Sequence, residues 1–399
     1  MAVSAIPPSF WDRARNWRNA LVADRRFQRW AASFALTRPF ARAKANELFE
    51  LCAGFVYSQI LLACVELDVF ERLADGPLDL ETLAKSSGLA PERAERLFDA
   101  ASSLGLLTRL APRGGGRWKP QLSASSGKGG QAGQLRYGLG ELGAALRGNA
   151  GALAMIRHHK LLYADLQDPV ALLRSHAPAG ALAHYWSYAN NAAPGQLSRD
   201  QTDEYSVLMA QSQHLVAEDL LDAYALARHE NILDVGGGDG TFLRAVAERT
   251  TDARLTLFDL PTVAERAQER FAERQLTGRT RCVGGSFFDD PLPTGADLIT
   301  LVRVLFDHDD TSAGKILSAC AQASAPGTRL LVAEQMAGTR GAEAMGDAYF
   351  GFYLLAMGHG RARRAEHLTE MIEDAGFCDV KRVRTRRPLL ASALVATRR

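Results

Sequence analysis

Paired cysteines, metal-ligand clusters, a strong charge of one sign and an unbroken apolar span are all missing from this chain of 399 residues. Its five cysteines, Cys52, Cys64, Cys282, Cys320 and Cys378, are odd in number and form no CxxC pair or Cys/His cluster. That excludes a disulfide framework and a structural zinc module, and it suits a reducing cytosol. No other metal-ligand spacing is visible, so no metal is expected. Lys and Arg total 47 against 45 Asp and Glu, a net charge of +2. The most apolar run, Leu51 to Phe70, contains Glu66 and lacks the uninterrupted length of a membrane span. No signal-peptide pattern opens the chain, so a soluble body in the cytoplasm is expected.

The charge that is present is unevenly placed. Nine Lys or Arg face three acids within the first 47 residues, which leaves the remainder mildly acidic. If residues 17 to 35 are helical, Trp17, Leu21, Phe27, Ala31 and Phe34 share one side, and Arg18, Arg25, Arg26 and Arg29 occupy the other. Two readings stay open for residues 1–44. The helix packs on a partner subunit or the domain core with solvated arginines, or it lies on an anionic membrane surface.

Residues 45–120 read as a compact helical module with a small β-ribbon, a winged-helix pattern. Tyr57 to Leu73 is apolar at helical spacing, Asp79 to Ser86 starts a short helix, and Ala90-Pro91-Glu92 begins another running through Leu97, Ala100 and Leu104. Leu106 to Leu110, then Gly114-Gly115-Gly116 and Arg117-Trp118, predict two wing strands. The helix that would enter DNA carries Glu92, Arg93, Glu95, Arg96 and Asp99, slightly negative where phosphates require a basic face, so no nucleic-acid partner is expected. Residues 121–226 read as a linker, including Ser123 to Gly133, followed by helices whose Tyr185, Trp186, Tyr188, Tyr205, Leu208 and Met209 are candidates for a pocket wall.

Residues 227–399 carry the most informative stretch, Asn231-Ile232-Leu233-Asp234-Val235-Gly236-Gly237-Gly238-Asp239-Gly240-Thr241-Phe242. An apolar strand runs into a glycine-dense turn and then a helix. Such a turn lets backbone approach a nucleotide cofactor without a Cβ in the way and offers free N–H groups at the helix start. Leu255 to Asp259 reads as the next strand, ending in an acid placed to accept both ribose hydroxyls. The GGGxG spacing after Asp-Val, far from the N-terminus, favours S-adenosylmethionine over NAD. Further strands are predicted at Thr280 to Gly284, Leu298 to Val302, Arg329 to Glu334 and Val380 to Thr385, an α/β Rossmann-like fold with a mostly parallel sheet and helices on both faces. The strand ends gather Gly236, Asp259, Gly285-Ser286-Phe287-Phe288, Arg303 and Glu334. Ser286 or its neighbours suit the adenine amino edge, Phe287 the ring, and Arg303 the cofactor's polar edge or carboxylate. Met345 to Gly358 is either the wall of a narrow channel or a core helix.

Several of these motifs together resemble the class I S-adenosylmethionine-dependent O-methyltransferases with a winged-helix dimerisation domain, the group that includes caffeate-type and acetylserotonin-type enzymes. The resemblance rests on Asp234 to Gly238, Phe258-Asp259-Leu260-Pro261, Gly285 to Phe288 followed by Pro291-Leu292-Pro293, Arg303 to Asp307 and Ala375-Gly376-Phe377. It implies a homodimer, and it implies cofactor contacts from Asp234, Gly236, Gly237, Gly238, Asp259, Leu260, Gly285, Ser286, Phe287, Phe288 and Arg303. More narrowly, Glu47 to Gln59 and Tyr205 to Gln213 are similar to the carotenoid O-methyltransferases of purple photosynthetic bacteria, which methylate the C-1 hydroxyl of hydroxyneurosporene and demethylspheroidene. That implies a small apolar hydroxylated substrate and a cytoplasmic enzyme able to sit peripherally on the intracytoplasmic membrane. A bacteriochlorophyllide C-methyltransferase and a phenolic or polyketide O-methyltransferase remain as alternatives, with a winged-helix regulator that senses S-adenosylmethionine behind them.

Two departures bear on mechanism. Phe306 stands where the family places its histidine base, with His308 in the place of the following tryptophan. Glu334 matches one of the two acids that orient the histidine, and Ala362 replaces the other. A tertiary alcohol is far less acidic than a phenol, so its proton is expected to leave late in methyl transfer, taken by His308 or Glu334 directly or through water.

Overall fold

The computed structural model describes residues 9–110, 135–175, 180–186 and 213–399. The expectations for Gly114 to Trp118, Ser123 to Gly133, Tyr188, Tyr205, Leu208 and Met209 lie outside them. The chain divides into two compact units, 1–144 and 145–399.

The first unit begins with α1 (Phe10–Ala23) and α2 (Arg25–Ser33) rather than one continuous helix over 17–35. Asp24 is the reason for the break. Its extended backbone ends α1, and its carboxylate accepts the Arg26 and Phe27 N–H groups that open α2. Next comes α3 (Arg38–Glu66), whose 29 residues reach well upstream of the expected Tyr57 start. This helix is long and apolar enough to cross a membrane by length and composition, which corrects the reading that Glu66 cuts the run short, because Glu66 is its last residue. Leu48, Phe49, Leu51 and Phe55 are exposed on it.

Helices Leu80–Ser86 and Pro91–Ser103 form as predicted, and the ribbon is a three-stranded antiparallel sheet of β1 (Leu78–Asp79), β3 (Arg136–Leu139) and β2 (Leu107–Leu110), in that order. Thus β2's partner comes from 136–139, inside the stretch read as linker. Tyr137 explains the pairing: fully buried, it packs on Phe98 and donates its hydroxyl to Asp99 at 2.7 Å.

A seven-stranded sheet organises the second unit, in the order β6-β5-β4-β7-β8-β10-β9. The strands are β4 (Asn231–Val235), β5 (Arg254–Asp259), β6 (Thr280–Gly284), β7 (Leu298–Val302), β8 (Arg329–Glu334), β9 (Phe377–Val383) and β10 (Ser392–Arg398). Five are parallel; β10 runs antiparallel between β8 and β9. Its alternating side chains divide between two cores. Ile299, Leu301, Leu330 and Val332 pack on helices Asp310–Ala323 and Ala365–Asp374, whereas Leu298, Val302, Leu331 and Ala333 face the side of Thr241–Arg249 and Pro261–Glu273. Chain order reverses between β4 and β7, which opens a crevice at their carboxyl ends.

Phe271 lies fully buried beneath the turn that leads from β4 to its helix, so close that a Cβ on Gly240 would come within 2.6 Å of its ring. Replacing Phe271 by Ala is expected to lower unfolding stability by about 3–5 kcal/mol, read by urea denaturation of the full chain.

Candidate active site

The glycine turn after β4 takes the shape its composition demands. Gly236 and Gly238 both have positive φ, 71° and 59°, which disfavours any residue with a Cβ. A Cβ on Gly236 would meet Val304 at 2.8 Å, whereas one on Gly238 would point into open space, leaving room for a ligand against the backbone. Gly237 is packed from behind by Asp234 and Leu257.

Asp259, at the end of β5, joins two loops. One carboxylate oxygen accepts the Gly238 N–H and the other the Leu260 N–H, both at 2.7 Å. Each oxygen retains a second lone pair, so the group still offers acceptors to a diol. Burial pushes its pKa up to about 6 against the two backbone donors, which pull it down. Asp234 is buried deeper, accepts the Thr300 hydroxyl at 2.6 Å, and is pushed up by burial to about 7. It braces the turn from beneath.

The loop after β6 holds itself. Gly285 donates to the Asp259 carbonyl at 2.9 Å, and the Ser286 hydroxyl donates to Asp289 and accepts the Phe288 N–H. The Ser286 hydroxyl thereby stiffens the loop whose residues, Ser286 or its neighbours, were expected at the adenine amino edge. Phe287 and Phe288 each meet the His308 ring edge-on at 5.5 Å, so His308 sits among the rings of this loop. Burial lowers its pKa to about 4, with the Arg363 charge adding to the effect. Arg303 follows β7 directly, with φ +60°, a rare conformation for a residue with a side chain, and reaches Gln213 at 3.5 Å.

Glu334 is fully buried at the end of β8 and accepts the Phe306 N–H at 3.1 Å. Burial raises its pKa to about 8 although the Arg363 charge pulls it down. The carboxyl thus carries its proton through most of the neutral range. Arg363, also fully buried, donates to the Leu305 and His308 carbonyls at 2.8 and 2.6 Å and to Asp310 at 2.7 Å. It clamps the 305–310 segment, and sequence inspection does not single it out.

Beside Phe306 lies an aromatic cluster that the sequence shows only in part. Its buried members include Leu162, Leu182, Trp186, Phe306, Phe350 and Tyr353, with Tyr349 and Ala362 among the residues packed against them. The segment expected as channel wall or core helix is a π-helix, Ala344–Tyr349, running into a helix, Phe350–Met357. The cluster also contains two imidazole–phenol contacts from helix Ala150–Asp165: His158 to Tyr353 at 2.8 Å and His159 to Tyr349 at 2.7 Å. The tandem His158-His159 inside an apolar helix was the available signal.

The glycine turn, the acid of β5, the aromatic loop and Arg303 converge on the crevice and suit a nucleoside with a charged tail. A family model for an O-methyltransferase domain matches residues 163–378, and one for an O-methyltransferase dimerisation domain matches 49–125. The chain is 42% identical over 378 residues to the demethylspheroidene O-methyltransferase of Cereibacter sphaeroides, covering 95% of this chain and 93% of that one. The chain belongs to the O-methyltransferase family. The enzyme is also 30% identical over 354 residues to acetylserotonin O-methyltransferase of Mus musculus, across 86% of this chain and 85% of that one. The crystal structure of human N-acetylserotonin methyltransferase in complex with SAM has a TM-score of 0.70 at 24% identity, covering 89% of this chain and 97% of that chain, and shows the same fold. The expected architecture, a helical dimerisation domain ahead of a mostly parallel sheet, and the expected class, an O-methyltransferase, are thereby established.

With Asp259 expected to accept a ribose diol in its ionised form, cofactor affinity is expected to rise with pH as that group loses its proton near pH 6 and to level off above it. Calorimetric titration with S-adenosylhomocysteine between pH 5 and 8 measures this. Asp259→Asn is expected to weaken binding at least tenfold at pH 8 and to flatten the profile, about 1.4 kcal/mol or more.

Proposed function

We propose that this enzyme transfers a methyl group from S-adenosylmethionine to the C-1 hydroxyl of an acyclic carotenoid such as hydroxyneurosporene or demethylspheroidene. The observation that carries the reading is Phe306: the position that holds a base for phenols in the wider family is filled by a buried ring that packs at 5.9 Å on Phe350 in an aromatic cluster. A polyene alcohol is matched by such a wall, and it does not need a base strong enough to ionise it first. The 42% and 40% identities to the demethylspheroidene O-methyltransferases of Cereibacter sphaeroides and Rhodobacter capsulatus support the same substrate class.

In this reading Asp259 holds the ribose, Leu260, Phe287 and Phe288 flank the adenine, and Arg303 and the Gly236–Gly238 turn receive the amino-acid end. S-adenosylmethionine supplies an electrophilic methyl group, and the enzyme's largest contribution is to hold the hydroxyl oxygen in line with it. His308 packs the cofactor loop and Glu334 anchors the Phe306 backbone, which is our reading of the two residues first expected to take the proton. No metal enters the scheme.

Labelled methyl offered with hydroxyneurosporene, a bacteriochlorophyllide and a simple catechol in parallel is expected to appear in the hydroxyneurosporene alone. Label only in the bacteriochlorophyllide or the catechol would overturn the substrate class.

The exposed apolar residues of α3 are proposed to be covered by a second copy of the chain, as the dimerisation domain implies. The two helices before it are proposed to rest on the cytoplasmic face of the intracytoplasmic membrane, where the substrate partitions. Phe10, Trp11, Trp17, Trp30 and Phe34 are exposed on or beside α1 and α2, interleaved with arginines, and only Ala31 of the two helices is buried. Tryptophan with arginine at a helix surface suits an anionic lipid interface. The full chain is expected to sediment with phosphatidylglycerol vesicles at low salt, and Arg25, Arg26 and Arg29 changed together to Glu are expected to release it. Equal binding by wild type and triple variant would refute the contact.

A further inference from the structure

Methylating an alcohol liberates a proton, and the crevice beside Phe306 is apolar, so a polar acceptor must be built into it. Two such groups stand on facing segments. Helix Ala150–Asp165 supplies adjacent imidazoles, and Tyr349 and Tyr353, four residues apart, supply the phenols that meet them. A chain of ring contacts links them to the strand ends: Phe306 to Phe350 at 5.9 Å, Phe350 to Tyr349 at 5.0 Å and Tyr349 to His159 at 5.6 Å. Tyr349 is therefore two contacts from the position that the family's histidine occupies. Arg303, directly after β7, is close enough for its charge to act on both phenols.

The two pairs differ in what their hydroxyls still have to offer. Trp186 Nε1, which can only donate, gives its hydrogen to Tyr353 Oη at 2.8 Å. Tyr353 Oη also meets His158 Nε2, and the pair is closed inside the core, with His158 8% and Tyr353 5% exposed. Tyr349 and His159 are only half-buried, and among the described residues the Tyr349 hydroxyl bonds to His159 alone. Its oxygen keeps an accepting lone pair. Burial lowers the pKa of His159, which favours the neutral ring with one nitrogen free to accept.

We propose that Tyr349 accepts the proton of the substrate hydroxyl while passing its own phenolic proton to His159, so that this pair is the proton sink of the methyl transfer. The inference rests on the alcohol O-methyltransferase reading above. As the substrate oxygen bonds to the methyl carbon, the carbon–sulfur bond breaks and its electron pair stays on sulfur. The O–H bond then breaks toward Tyr349 Oη, the Tyr349 O–H breaks toward His159 Nε2, and the positive charge that began on the donor ends on the imidazole. A protonated ether is a far stronger acid than an imidazolium, so the transfer runs downhill even for a ring whose basicity burial has reduced. Tyr349 is a catalytic residue on this account, and His159 acts through it.

Steady-state kinetics on hydroxyneurosporene, with the donor saturating, test the pair. Tyr349→Phe and His159→Gln are each expected to lower kcat about 100-fold, with KM for the carotenoid changed less than about threefold. Tyr353→Phe, which removes the hydroxyl of the closed pair, is expected to lower Tm and to leave the solvent deuterium isotope effect on kcat at its wild-type value. A second readout needs no turnover: nitrogen-15 imidazole spectra of the resting enzyme should show His159 protonated on Nδ1 and accepting at Nε2, with the Nε2 resonance shifted in Tyr349→Phe. Wild-type kcat in Tyr349→Phe, or a collapse confined to His308→Ala, would overturn the assignment. So would a proton on His159 Nε2 in the spectra. If the wild-type enzyme methylates no hydroxycarotenoid, the substrate reading fails first, and the spectra still decide whether the pair exists.

Discussion

Three carboxyl groups stand at the ends of strands β4, β5 and β8, where the sheet is buried on both faces and water is too scarce to keep them ionised at their usual pKa. Burial raises Asp259 to about 6, Asp234 to about 7 and Glu334 to about 8. An unpaired buried carboxylate would cost several kcal/mol, so each must find donors or keep its proton. Asp259 takes the N–H groups of Gly238 and Leu260, Asp234 the hydroxyl of Thr300, and Glu334 the N–H of Phe306. The loops that form the crevice are shaped by those bonds. The glycine turn, the start of the helix after β5 and the Phe306 segment are where they are because these acids need partners.

How much of this is legible in the sequence follows from how local each feature is. The turn and Asp259 are close in the chain, and the glycines, the strand and the acid each leave a mark at fixed spacing. Strand β10 leaves a weaker one. Its residues Ala393, Leu394 and Ala396 are small or buried, and it inserts antiparallel between β8 and β9 instead of continuing the strand–helix alternation that reveals the others. β3 is hidden similarly, since it pairs with β1 across 59 positions, Tyr137 against Leu78. The imidazole–phenol contacts span 195 and 190 residues, and the clamp of Arg363 on Leu305 spans 58. No periodicity reports contacts of that kind. Asp24 is the opposite case, a local capping residue that a hydrophobic-face argument passes over because it interrupts the stripe at one position.

Phe306, Ala362 and Glu334 make sense as a set. In a site built around a histidine base, two acids orient the imidazole, and their charge has a purpose. With a phenyl ring in that place there is no imidazole to orient, and a charged Glu334 would be a liability in a fully buried position. Here Ala362, the residue expected at the second acid position, packs in the aromatic cluster, and Glu334 has turned to backbone, accepting the Phe306 N–H under the influence of the Arg363 charge. Arg363 in turn holds the Leu305 and His308 carbonyls and Asp310. The frame that would serve acid–base chemistry on a phenol is thereby spent on positioning a ring, and the rest of the crevice wall is free to be apolar. An alcohol that attacks before it loses its proton asks for that division: close shape where the carbon–oxygen bond forms, and a proton acceptor set slightly apart, which need be no stronger a base than a buried imidazole.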